Sequence, residues 1–174
     1  MAAQAAMTGH LVLTTLHTND APTSIPRMRD LGVESTVLAD TMIGVVAQRL
    51  VRSLCECAVP VTAPLTASEE RLRELTGQAP LRRAKGCERC GQTGYHGRMP
   101  IVEIMRVTPE IQDLIMRDAP LSQIRPMAMK QGMRGLAESG LQRIQRGETD
   151  ANEVRRAVGS GFWLALAEMK DRSP

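Results

Sequence analysis

Aromatic side chains are almost missing from this 174-residue chain: Tyr95, Phe162 and Trp163 are the only ones. That scarcity argues against a nucleic-acid module that stacks bases on aromatic platforms. The core has to be assembled instead from Leu, Ile, Val, Ala and many of the 11 Met. Lysine is scarce too, confined to Lys85, Lys130 and Lys170, so the positive charge is mostly arginine. Guanidinium suits bidentate contacts to phosphate or carboxylate, although the net charge of +3 is mild. No apolar run approaches the roughly 18 residues of a membrane span. The opening Met1-Ala2-Ala3-Gln4-Ala5-Ala6 also lacks the basic start and apolar stretch of a signal peptide. The expectation is a cytosolic protein whose cysteines are reduced, and therefore metal ligands or plain thiols before disulfides.

What is present reads as globular: 43% hydrophobic and 24% charged, enough for one core with a small satellite module. The most informative stretch is Thr8 to Asp20. Gly9 makes a turn, Leu11–Leu16 is apolar and β-prone, and His17, Thr18, Asn19 and Asp20 follow as a small polar cluster. A short apolar run bounded by turn chemistry predicts a buried strand, often in a parallel sheet. Ligands of open α/β sheets bind beyond the carboxyl ends of such strands, where His17 would sit. The competing reading is a buried strand followed simply by an Asp20 helix cap.

Elsewhere the pattern predicts an Ala-rich helix over 1–9, a helix from Asp20 to about Leu31, and a longer one over Ser35–Val51. In the last, Leu38, Met42, Val45 and Val46 share an apolar face. A capping box, Thr66-Ala67-Ser68-Glu69, starts a short helix that Gly77 ends. A strand is expected over Pro100–Val107, and Thr108-Pro109-Glu110 begins a helix with Ile111, Leu114 and Ile115 buried. Helices follow over Leu121–Met129 and Leu136–Arg146, then from a second capping box at Asp150-Ala151-Asn152-Glu153. The tail 161–174 carries a short amphipathic segment with Phe162 and Trp163.

All four cysteines lie in 55–98, as Cys55-Glu56-Cys57 and Cys87-Glu88-Arg89-Cys90. Two close pairs are what a structural zinc site needs, each pair gripping one side of a tetrahedron. Arg52, Lys85 and Arg89 would favour the thiolates. The first pair is one residue short of the usual C-x-x-C, and inert thiols or a redox pair are the alternatives. His96 could replace one cysteine, but its place in Gly94-Tyr95-His96-Gly97 reads more as a surface turn.

In order, Ala6-Met7-Thr8-Gly9-His10-Leu11-Val12-Leu13-Thr14-Thr15-Leu16-His17-Thr18-Asn19 resembles the histidine-box region of secretion ATPases. Ala47-Gln48-Arg49-Leu50-Val51-Arg52 follows, then Cys87-x-x-Cys90-x-x-Thr93-Gly94-Tyr95-x-Gly97-Arg98, Gly132-Met133 and Gly147-Glu148-Thr149. The family resembled is the type II secretion and type IV pilus assembly ATPases (GspE/PulE/PilB-like), over about residues 2–158. The resemblance implies an α/β fold. It would be the C-terminal portion of a RecA-like P-loop NTPase core, with a four-cysteine metal-binding insert and a C-terminal helical subdomain. It divides the chain into a partial core over 1–54, the insert over 55–98, a returning strand and helical subdomain over 99–160, and a tail over 161–174.

The same resemblance implies a homo-hexamer on the cytoplasmic face of the inner membrane. That ring would meet inner-membrane platform proteins and couple ATP hydrolysis to pilus or pseudopilus assembly. It makes His17 the candidate catalytic residue at the γ-phosphate, and Arg49 and Arg98 candidates for a nucleotide-side or inter-subunit role. It makes Cys55, Cys57, Cys87 and Cys90 the zinc ligands. The chain contains no G-x-x-x-x-G-K-[ST] phosphate loop, so ATP and Mg are expected only in the context of a complete ATPase, and the chain alone is expected to be inactive. The rival is a non-enzymatic, zinc-stabilised protein-interaction module; no nucleic-acid partner is expected.

Overall fold

Residues 2–172 are described by a computed structural model. Met1 and the end of the tail, Ser173 and Pro174, lie outside the described residues. The chain forms two compact units, Met1–Ala47 with Glu103–Gly135, and Gln48–Val102 with Leu136–Pro174.

The first unit is mainly helical: α1 (Ala2–Met7), α2 (Ser24–Asp30), α3 (Ser35–Thr41), α5 (Pro109–Met116) and α6 (Leu121–Lys130). Its core is aliphatic and sulfur-rich, with Ile25, Leu38, Met105, Ile111, Ile115 and Ile124 almost wholly buried. Ala21 N–H donates to Oε1 of the buried Glu103 at 2.7 Å. Asp20 accepts from the Thr23 N–H at 3.0 Å and pairs with Arg125 at 2.7 Å. It therefore shapes the turn that leads into α2, which begins only at Ser24.

The second unit carries α4 (Ala67–Thr76), α7 (Leu136–Gln145), α8 (Ala151–Val158) and α9 (Gly161–Arg172), with a small antiparallel pair, β2 (Val59–Pro60) against β3 (Arg82–Arg83). Phe162, Leu72, Ile101, Ile144 and Leu166 fill its core. At α4 the expected start and stop signals are used as read. Thr66 and Glu69 form a reciprocal capping box on α4, and Gly77 closes that helix in the left-handed conformation. Asp150 caps α8 by accepting from the Glu153 N–H at 3.0 Å.

Two long strands, β1 (Gly44–Leu54) and β4 (Tyr95–Arg106), pair as a two-stranded ribbon and contribute residues to both units. In the first unit Val107 N–H donates to Ile43 O; in the second, Cys55 N–H donates to Gly94 O. The start of one strand meets the end of the other, so the pair is antiparallel.

Two expectations are corrected. The helix predicted over Ser35–Val51 stops at Thr41, and the chain turns into β1 at Gly44. Ile43, Val45, Val46 and Val51 are β-branched and favour a strand. A Cβ on Gly44 would meet Met105 O at 3.0 Å, so the glycine permits a close strand approach. The apolar pattern has period two: Val45 packs on the first core while Val46 is 64% exposed. The strand predicted over Leu11–Leu16 is the second correction. No regular structure forms there, and Leu11 and Leu13 are 74% and 89% exposed. A buried strand needs partners for its N–H and C=O groups, and among the described residues no strand pairs with this one.

Candidate metal centre

The four cysteines come together in the second unit, from two directions. Cys55 follows the last residue of β1, and the next turn returns Cys57 to the same side, where Ala58 N–H bonds Cys55 O at 2.9 Å. Cys87 and Cys90 bracket a single 3-10 turn, Glu88–Cys90, which Gly91 ends at a φ of 57°. Gly94 joins the two sides. Its N–H donates to Cys90 Sγ at 3.2 Å while its carbonyl accepts from Cys55 N–H at 2.9 Å. It has a φ of 81°, and a Cβ there would come within 2.6 Å of the Ala84 Cβ, so only glycine fits.

All four Sγ atoms lie within 4.8 Å of one another. The close pairs are Cys87–Cys90 at 3.7 Å, Cys55–Cys87 at 3.9 Å and Cys57–Cys90 at 4.0 Å. A tetrahedral thiolate site with metal–sulfur bonds of about 2.3 Å has sulfur–sulfur edges of about 3.8 Å. Disulfides, at about 2.0 Å, are far shorter. The donor set thus fits one tetrahedral thiophilic ion, and the short C-x-C pair does not prevent it.

Burial would raise the Cys90 thiol, but backbone N–H donors from Cys87 and Gly94 outweigh it and bring the pKa down to about 6. Cys57, penalised by desolvation, is pushed up to about 11. The arginines expected to favour thiolates are engaged elsewhere: Arg89 pairs with Glu56 and Arg52 with Glu153. His96 is exposed and outside the cluster.

The other candidate site residues do not join this centre. His17 is exposed and follows the unpaired Leu11–Leu16 stretch of the first unit. Arg49 is half-buried on β1. Arg98 is exposed on β4, and with Leu50, Arg52 and Arg156 it lines an open recess of about 490 Å³.

Beside that recess lies a polar network hidden from sequence reading. Glu153, only 2% exposed, accepts from Arg52 at 2.6 Å and from Arg156 at 2.9 Å and 3.1 Å. Burial would raise its pKa, but these bonds and the Arg52 N–H hold it at about 2. The Arg52 guanidinium also stacks 4.0 Å from the Tyr95 ring centroid, and the Tyr95 hydroxyl donates to Asp150 at 2.5 Å. Burial and the Asp150 carboxylate push the phenol well above its usual range. The Glu153 carboxylate therefore does not complete the expected capping box, and Asp150 caps α8 alone. The one local hint was Arg156, three residues along the same helix from Glu153.

Comparison with known proteins places this geometry in context. The profile described as Type II/IV secretion system protein matches residues 1–156. The chain is 42% identical over 165 residues to the type IV pilus assembly ATPase TfpB of Acinetobacter baylyi, covering 91% of this chain and 28% of that protein. It is 44% identical over 157 residues to the type IV pilus assembly ATPase PilB of Thermus thermophilus, covering 88% and 18%. It is 37% identical over 165 residues to the type II secretion system ATPase E of Vibrio cholerae serotype O1, covering 91% and 31%. The chain spans less than a third of the length of these relatives.

Proposed function

The chain belongs to the type II/IV secretion system protein family and answers to the C-terminal part of its ATPases, and on that premise we propose that it is a segment of a motor ATPase driving pilus or pseudopilus assembly. The observation that carries the reading is the match itself: about 40% identity maintained across nine-tenths of the chain. In this role residues 1–54 belong to a RecA-like core whose phosphate loop is supplied by further sequence. Leu11–Leu16 then becomes a strand of that core. The exposure of Leu11 and Leu13 supports that reading.

His17, following directly, would reach the γ-phosphate or the attacking water once the sheet is complete. Arg49 and Arg98 stand on the nucleotide side or at a subunit boundary, where guanidinium stabilises phosphate charge. ATP and Mg enter only with the complete ATPase, assembled as a homo-hexamer on the cytoplasmic face of the inner membrane through platform proteins. Zinc is the ion proposed for Cys55, Cys57, Cys87 and Cys90, on sulfur spacing and an all-thiolate donor set.

The test is complementation. Mixing the chain with a P-loop-bearing N-terminal portion of a relative should restore magnesium-dependent ATP turnover, and His17→Ala should abolish it. Turnover that ignores His17, or none with a correctly assembled partner, overturns the proposal. A second reading, a zinc-stabilised interaction module, is favoured by the separate core of the second unit. Capture of a platform protein by residues 55–174 without any ATPase portion would support it.

A further inference from the structure

We propose that Arg98, Arg52 and Arg156 form a binding recess for a phosphate-type oxyanion. The proposal deepens the placing of Arg98 on a phosphate-facing surface and rests on that reading, but its geometry lies wholly within the second unit.

Three guanidinium groups and Leu50 line one open recess of about 490 Å³. Against them stands one buried carboxylate, Glu153, or two if Asp150 behind Tyr95 is included. Positive charge is therefore in excess whichever way the boundary is drawn. Glu153 spends its oxygens on Arg52 and Arg156, which fixes both forks. The Arg98 side chain makes no hydrogen bond or ion pair among the described residues, although it lies beside two other cations. Glu153 offsets only part of the repulsion among the three like charges.

A second observation points the same way. The Nε of Arg52 is buried and has no acceptor among the described residues. Buried donors are nearly always satisfied, so this N–H leaves part of the Arg52 fork unsaturated within the chain. Stacking on Tyr95 holds the Arg52 plane, so the side chain is already positioned and loses little freedom on binding. Three forks around one recess, rather than strung along a strip, fit a compact multivalent group better than an extended acidic chain. Free phosphate and the phosphates of a nucleotide share that chemistry.

The test uses the whole chain. Calorimetric titration with pyrophosphate should show saturable binding that weakens with salt and falls about tenfold in Arg98→Gln, with Arg98→Lys between them because an ammonium cannot fork. In ¹⁵N spectra the Arg52 Nε–H signal should shift on binding. The control Arg146→Gln, an exposed position outside the recess, should leave affinity unchanged, and an unaltered melting temperature would show that the variants fold. A parallel ADP titration separates the sources: equal affinity means the phosphates suffice, and tighter ADP binding that is also lost in Arg98→Gln assigns the group to a nucleotide. Three results overturn the proposal: no saturation by about 10 mM, a range still weaker than millimolar binding; equal affinity in wild type and Arg98→Gln; or a glutamate-rich peptide saturating where pyrophosphate does not. Each would leave the motor reading standing, because ATP turnover after complementation tests that separately.

Discussion

The cysteine cluster and the His17 segment are opposites in structural completeness. Around the cysteines, Gly94 ties the two ligand pairs together, backbone N–H groups point at Cys90, and four sulfurs stand at tetrahedral spacing. Along Leu11–Leu16, two leucines face outward and no strand answers the backbone among the described residues. One region is finished by contacts within some 40 residues of chain. The other leaves Leu11 and Leu13 exposed.

The largest effects should fall where structure is complete. Cys90→Ser, or removal of the ion by a strong chelator, should abolish stoichiometric metal binding. It should also lower the melting temperature by about 5–10 °C, because metal affinity is folding free energy in small thiolate modules. Elemental analysis and thermal melts read both, and a wild-type chain that carries no metal would remove this half of the contrast. Gly94→Val should mimic the loss, since a side chain there collides with Ala84.

Core truncation comes next. Phe162→Ala, at a fully buried site, should cost about 3–4 kcal/mol by denaturant unfolding. Glu153→Gln should cost about 2 kcal/mol, less than a fully buried pair because Arg52 remains 41% exposed. The same carboxylate predicts an acid limb. Its folded pKa of about 2 lies below the ordinary 4.5, so its stabilisation is fully present above pH 4.5 and is lost as pH falls towards 2. Glu153→Gln should flatten that limb, and an unchanged limb would assign acid sensitivity to other groups.

The smallest effect should be at the incomplete region. Leu13→Ser should change the stability of this chain by less than about 0.5 kcal/mol, despite leucine's usual place in a core. A large loss would mean that Leu13 is packed after all.

Much of the second unit was legible because its signals are local. Thr66 with Glu69, Asp150 before α8, Gly77 and Gly147 mark helix ends through backbone groups a few residues away. The cysteine spacing likewise announced a ligand set. The failures came where the deciding partner is remote. Val45 and Val46 suit a helical face or a strand edge equally, and only pairing with β4 settles it. Glu153 looked like a cap because its true partner, Arg52, lies 101 residues away. Leu11–Leu16 was legible as a strand in composition, yet a strand exists only with a neighbour.

Hydrogen exchange on residues 11–16 tests the contrast most directly, with the chain alone and after addition of a P-loop-bearing N-terminal portion. The expected result is near-unprotected amides alone, strong protection in the mixture, and Gly94 protected throughout. Protection of Leu11–Leu16 in the chain alone, or none gained in an assembled mixture that hydrolyses ATP, would contradict the account.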